Sequence, residues 1–167
     1  FLTIPYDKNK GITANCEKFF FNKIKINNNI NCGIMINASD LLNKQINKKK
    51  IVKILNSINI KKIKFVRFAC HFHEVLKIKN YIKILKKKGF KIFINIMQIS
   101  EIKKKEIRFL CTNITNICDI IYIADSLGSL DKKSIILILK NFKKFKDKPL
   151  GVHTHNNMNK ALNCITT

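Results

Sequence analysis

The sequence predicts an α/β chain, an incomplete (β/α)8 TIM barrel with parallel strands, on three observations. Five short, β-branched apolar runs alternate with helical patterns at intervals of about 30 residues, the organisation of repeated βα units, which implies parallel pairing. The runs are apolar on both faces, as strands covered by helices are. Polar groups collect at their C-terminal ends: His71 and His73, Asn95 and Gln98, Asp125 and Ser126, His153 and His155. Barrel enzymes build their sites at that end of the strands, whereas a doubly wound dinucleotide-binding sheet would show a glycine fingerprint after an early strand, and there is none. Five units are about two thirds of a barrel, which needs eight units and about 250 residues. The chain begins at Phe1 without Met and ends inside a helical pattern, so residues 1–167 read as one partial barrel domain, a fragment.

Taken in order, residues 1–12 read as a loop, because Pro5, Asp7, Asn9 and Gly11 are turn formers. Residues 14–27 carry Cys16, Phe19, Phe20 and Ile24 on a 3.6-residue stripe and predict a helix, broken by Asn27-Asn28-Asn29. The first predicted strand lies within 30–37, with Ser39 suited to cap a short helix from Asp40. A helix follows over 48–57. The second strand covers 63–70 and runs into His71-Phe72-His73-Glu74, with a long helix to Lys88 stopped by Gly89. The third strand spans 90–97, and Ser100 can cap a helix reaching about residue 116. The fourth strand, 118–124, closes on Asp125-Ser126-Leu127-Gly128-Ser129. A helix over 131–145 precedes the fifth strand, 149–155, and another helix starts near Asn157.

The formal net charge is +23 with a pI near 10.0, a balance that ordinarily points to nucleic acid. Here the excess is lysine, accompanied by isoleucine and asparagine, all of which have A/T-rich codons, and the lysines are spread over most of the helices. No RNA-stacking motif or zinc-finger spacing goes with them, so the expectation is salt-sensitive sticking to polyanions and no specific nucleic-acid partner. No apolar run is long enough to cross a membrane and there is no secretory leader pattern, so a cytoplasmic protein with no membrane partner is expected. The six cysteines include no Cys-x-x-Cys pair and mostly sit in apolar runs, as reduced buried thiols do.

The stretch with the most chemistry is Gly151-Val152-His153-Thr154-His155-Asn156-Asn157-Met158. Side chains two apart on a strand share a face, roughly 6–7 Å apart at Cα, close enough for two imidazoles to share one metal ion. His71 and His73 have the same spacing. Cys70 beside His71 is not a nucleophile–base pair, because adjacent strand residues point to opposite faces.

With Ile123-Ala124-Asp125-Ser126-Leu127-Gly128-Ser129 about 25 residues ahead of that stretch, the chain resembles the DRE-TIM metallolyases, most nearly their 4-hydroxy-2-oxovalerate (pyruvate) aldolase-like branch. Cys32–Ala38, Arg67–Glu74 and Asn95–Ser100 are similar to that barrel's third, fourth and fifth strands, so the resemblance spans strands 3 to 7. It implies that His153 and His155 bind a divalent ion, Mn or Mg. It also implies that a third ligand, an aspartate, and a neighbouring arginine belong to a strand preceding Phe1. Ser126 matches a position that holds the substrate carboxylate, Asp125 the acid of strand six, and His71 a polar residue facing the site. His71 and Asp125 are thus the candidate catalytic groups, with Ser126, Asn95 and Gln98 as candidate substrate contacts. The implied substrate is a small 2-oxo acid, and the implied reaction is aldol cleavage to pyruvate and an aldehyde. A Claisen-type synthase and a non-catalytic homologue are the alternatives, and an oligomer or a partner dehydrogenase would suit the aldolase reading. Two positions depart from the family's His-x-His-Asp-Asn-x-Gly: Asn156 replaces the Asp and Asn159 the Gly. Losing the Asp is expected to weaken the orientation of the histidines.

Overall fold

A computed structural model of the chain describes residues 2–4, 27, 29–43, 48–57, 63–114, 116–143 and 148–166. Its core is one parallel sheet of six strands: β1 (Leu2–Ile4), β2 (Gly33–Asn37), β3 (Phe65–Cys70), β4 (Lys91–Ile96), β5 (Ile120–Asp125) and β6 (Leu150–Thr154). They lie side by side in the order of the chain, with no reversal. A doubly wound sheet reverses its order at a switch point, whereas right-handed crossovers without a reversal place the helices on one side of the sheet, as in a barrel. The described arc is an open part of such a barrel.

Two expectations change here. Residues 2–4, read as loop, form a strand whose Leu2, Thr3 and Ile4 register with Ile34, Met35 and Ile36 of β2. Turn formers on the far side of Pro5 had masked three strand-compatible residues, so six strands stand where five were expected. The helix expected over 14–27 lies outside the described residues except for Asn27, whose side-chain carbonyl accepts from the Asn29 N–H in a turn.

The described helices are α1 (Ala38–Leu42), α2 (Lys48–Ser57), α3 (Lys79–Lys87), α4 (Lys104–Ile114), α5 (Lys132–Lys143) and α6 (Ala161–Ile165). The first starts earlier than the pattern suggested, at Ala38, while α3, α4 and α6 start later. Ser39 lies inside α1, and Asn37 takes the N-cap position. Phe72–Glu74 form a single 3-10 turn ahead of α3, and Ile99–Glu101, which contain Ser100, form another ahead of α4. Residue Glu106 closes the start of α4, its carboxylate accepting from the Lys103 N–H at 2.8 Å, and Asp131 does the same for α5 through Ser134 N–H at 2.8 Å. At the far end of α2, Lys88 donates to the carbonyls of Leu55 and Asn56, which a helix C-terminus leaves without partners.

Strand alternation divides the sheet into two unlike faces. Ile34, Ile36, Val66, Phe68, Cys70, Ile92, Ile94, Ile96, Ile121 and Ile123 are all buried and pack in one cluster with Leu55, Ile82, Leu85, Leu110, Ile114 and Ile135 of the helices. Each such side chain contributes roughly 1.5–3 kcal/mol by leaving water, so this layer holds the arc together. The opposite face points into the barrel. Its lower part is aromatic: Phe65 and Phe93 stack at 4.6 Å between centroids, and Phe93 meets Tyr122 at 6.0 Å. Glycines interdigitate with these rings. A Cβ on Gly33 would fall 2.0 Å from the Phe65 ring, and one on Gly151 would fall 2.3 Å from that of Tyr122.

Candidate active site

Above the aromatic layer, at the C-terminal ends of β3 to β6, the interior face turns polar. Arg67 extends from β3 across the Tyr122 ring, with its guanidinium carbon 4.5 Å from the ring centroid, a cation–π distance. Its Nη2 donates to Asn95 Oδ1 of β4 at 2.6 Å and lies 3.5 Å from His153 Nδ1 of β6. One side chain thereby joins groups from four successive strands. Partial burial lowers the Arg67 pKa from its usual value, with Tyr122 opposing the shift. An arginine nevertheless stays charged at any working pH. His153 is pushed below the usual histidine value by desolvation first, then by Arg67 and by His155. All three favour a neutral ring, the form that ligates metals.

The His153 and His155 rings lie with centroids 4.9 Å apart, inclined by 27°. The pair fits a shared ion in donor chemistry: two adjacent imidazoles, one held neutral. Among the described residues no group of three or more His, Cys, Asp or Glu side chains gathers to complete a metal site. The histidines are a pair of ligands awaiting other donors.

The remaining candidates separate clearly. Asn95 is buried at 5% exposure and engaged by Arg67. Ser126 and Gln98 come together, the Gln98 N–H donating to Ser126 Oγ at 3.2 Å. Ser126 keeps its own proton to donate, from the turn that follows β5. Gln98 has a left-handed backbone (φ 51°), uncommon for a non-glycine residue, at the turn after β4. Asp125 does not reach this group. It alternates onto the helix-facing side with Ile121 and Ile123, and its carboxylate accepts the Ser129 and Leu130 N–H groups at 3.1 and 3.0 Å. Its carboxylate holds the turn after β5. His71 follows β3 in extended conformation, its N–H donating to the buried Glu74 carboxylate at 2.8 Å and its ring stacked on that of His73 at 5.8 Å.

The two motif halves touch. Gly128, at φ +64°, is closely approached, since a Cβ would sit 3.1 Å from the His155 carbonyl and 3.2 Å from Asn157 Cβ. Asn157 Nδ2 donates to the Leu127 carbonyl at 3.4 Å. Of the two departures, Asn159 occupies a left-handed position (φ 55°), which asparagine tolerates best after glycine. Asn156 Oδ1 accepts from Ala161 N–H at 3.2 Å, and its amide points to Asn159 Oδ1 at 3.5 Å. These bonds run forward into the turn before α6.

Arg67 and Tyr122 went unselected in the sequence although the former carries the cluster. A signal was there: of 33 basic residues only Arg67 and Arg108 are arginine. Where base composition drives basic residues to lysine, an arginine kept inside a strand marks a need for the planar guanidinium fork.

No protein-family profile matches the sequence. No curated protein matches it either. Solved structures do. The N-terminal domain of an assigned aldolase from Bacteroides vulgatus superposes with a TM-score of 0.68 at 25% identity, over 83% of this chain and 45% of that one. HMG-CoA lyase from Brucella melitensis gives 0.69 at 9% identity, over 87% and 55%. Rhizobium etli pyruvate carboxylase gives 0.70 at 14%, over 83% and 15%. The chain is therefore an arc of a TIM barrel, spanning about half the length of the aldolase domain and the lyase. The resemblance to these structures is one of fold. Among the described residues no helix is long and apolar enough to cross a membrane.

Proposed function

We propose that this chain carries the carboxylate-binding half and two metal ligands of a metal-dependent carbon–carbon lyase, one that cleaves a 4-hydroxy-2-oxo acid to pyruvate and an aldehyde. The observation that carries this reading is the convergence of Arg67, Asn95, Tyr122 and His153 from β3, β4, β5 and β6. A guanidinium held by Asn95 and laid on the Tyr122 ring is a fixed, planar cation beside His153, of the charge that a carboxylate substrate requires. The Ser126 hydroxyl is free to donate to the same anion. His153 and His155 are the groups that would hold a divalent ion, Mn or Mg, whose chemistry when bound is Lewis-acid stabilisation of the enolate left by C–C cleavage. The aromatic layer of Phe65, Phe93 and Tyr122 lies beneath the site. The assigned aldolase among the similar structures supports the choice of reaction.

The test is Mn- or Mg-dependent release of pyruvate from 4-hydroxy-2-oxo acids by the protein that contains this chain. Arg67→Met should raise KM for the 2-oxo acid by about 10²-fold, equivalent to losing a charged hydrogen-bond pair. No pyruvate release with either metal sinks the aldolase reading. Acetyl-CoA-dependent consumption of a 2-oxo acid in its place would establish the Claisen-type alternative.

A further inference from the structure

The turn after β4 is built around Gln98, at φ 51° and ψ 46°. That is the left-handed region, which residues other than glycine, asparagine and aspartate seldom enter. Bonds from three directions hold the backbone there. The N–H of Met97, one residue earlier, donates to the Cys70 carbonyl at the end of β3 at 2.9 Å. The Gln98 N–H donates to Ser126 Oγ, in the turn after β5, at 3.2 Å. The Gln98 carbonyl accepts from the Glu101 N–H at 3.0 Å, and Ile99 beside it is buried. A strained conformation of this kind persists only where its surroundings over-determine it, and such residues gather at functional sites. The turn also redirects the side chain. Along β4, Ile92, Ile94 and Ile96 are buried against the helices, and continued alternation would send residue 98 the same way. The left-handed residue breaks that alternation, and Gln98 is half-buried where the isoleucines are buried. Among the described residues its carboxamide has no hydrogen-bond partner. Glycine would make this turn without strain, so a glutamine here points to a use for the carboxamide.

We infer that Gln98 is a specificity-determining residue for the 4-hydroxyl of the substrate, and that Ser126 is the positioning residue that holds it in place. The inference rests on the proposed 2-oxo acid reading and adds to it. In that reading the carboxylate belongs to Arg67 and Ser126 and the 2-oxo oxygen to the divalent ion, which leaves the 4-hydroxyl as the polar group still to be recognised. A hydroxyl both donates and accepts, whereas the aldehyde oxygen left after cleavage only accepts. A carboxamide answers both states. Its oxygen accepts from the hydroxyl, and its NH2 donates to the same substrate oxygen before and after the C3–C4 bond breaks. Ser126 joins this contact to the other end of the substrate. One lone pair of its Oγ takes the Gln98 N–H, while its proton stays available for the carboxylate.

The experiment is calorimetric titration of the protein that contains this chain, free of divalent ions so that nothing is cleaved. The two probes are 4-hydroxy-2-oxopentanoate and 2-oxopentanoate, which lacks the hydroxyl. The unaltered protein should bind the hydroxy acid about five- to tenfold more tightly, the worth of a neutral hydrogen bond. Gln98→Gly should abolish that preference by weakening the hydroxy acid alone. It should also unfold in urea at the same concentration or higher, because glycine relieves the left-handed strain. Ser126→Ala should weaken both acids and lose the preference, and Ser126→Thr should restore it. Gln98→Gly added to Ser126→Ala should remove no further preference, since the two residues act as one unit. A merely structural serine would alter both affinities alike and leave their ratio in place. Equal affinity for the two acids in the unaltered protein, or a preference that survives Gln98→Gly, overturns the inference, and a preference that survives Ser126→Ala overturns the positioning role. Binding of neither acid overturns it as well. A preference carried by Gln98 in a protein that releases no pyruvate with Mn2+ or Mg2+ upholds the hydroxyl contact and removes the aldolase reaction. Pyruvate release without any dependence on Gln98 does the reverse.

Discussion

The chain contains two His-x-His sequences, at the ends of β3 and β6, and they have different fates. His71 and His73 flank the point where β3 stops: Cys70 is the last strand residue, and Phe72–Glu74 turn at once into a 3-10 helix. The rings come to rest nearly parallel, 5.8 Å apart, with His73 exposed. His153 lies within β6 and His155 just beyond it, with rings 4.9 Å apart, and His153 is met by an arginine from two strands before β5. Spacing is identical. What differs is the backbone that follows and the cation that faces the first ring. A two-residue period places imidazoles on one face only while the chain stays extended, and a pair acquires chemistry only where other strands send groups toward it.

The sharpest way to break this comparison is to remove one ring from each pair. His153→Ala or His155→Ala should lower divalent-ion affinity and pyruvate release by more than ~100-fold, since even outer partners of ligating histidines cost 10–100-fold. His73→Ala should change neither by more than about twofold, a surface substitution away from any bond network. Equal losses from the two pairs, measured by metal titration and steady-state kinetics, would erase the distinction.

A second test strikes the scaffold that serves only the later pair. Asp125 is 2% exposed and accepts two backbone N–H groups that shape the Leu127–Leu130 turn, against which the His155 backbone rests through Gly128. Charge-assisted bonds of this kind contribute about 1.5–3 kcal/mol each, so Asp125→Ala should cost roughly 3 kcal/mol or more in urea unfolding. An Asp125→Asn protein that folds normally yet loses all turnover would restore the catalytic role first expected of this residue. Gly151→Ala comes next. Its Cβ would overlap the Tyr122 ring that carries Arg67, and overpacking of this kind costs about 1–3 kcal/mol. The corresponding loss in carboxylate binding should appear in KM, while the His71–His73 stack stays as it is.

How much of this was legible in the sequence follows from the range of the forces involved. The βα repeats were readable because burial on both faces of a strand writes a dense run such as Ile120–Ala124, whatever the partner. The His153–His155 pair was readable because its geometry is local. Arg67 was not selected, because its meaning comes from Asn95, Tyr122 and His153, which lie 28 to 86 residues away and meet it only through strand order and register. The place of Asp125 on the helix-facing side, holding the turn at Ser129 and Leu130, could not be read from its motif, because strand register sets which face each β5 residue takes. The helix starts at Ser39 and Ser100 were misplaced because short 3-10 turns and backbone caps can end a strand with little trace in the residue types.

The smallest expected effect bears on the residue that follows the later pair. In the resembled family an aspartate stands where this chain has Asn156, and restoring it by Asn156→Asp adds one negative charge on the residue next to His155. The present bonds argue that little should follow. Asn156 Oδ1 already accepts the Ala161 N–H, a task a carboxylate oxygen performs at least as well, and its other contact is with Asn159 rather than with a histidine. An exposed substitution that preserves its hydrogen bond is worth within about 0.5 kcal/mol in stability, and the added charge is screened by solvent. Metal affinity should therefore shift less than about threefold, the reach of a screened charge at this exposure. A tenfold gain in Mn2+ affinity on Asn156→Asp would show that the turn reorganises around the ion, and that the later His-x-His depends on its C-terminal neighbour as much as on Arg67.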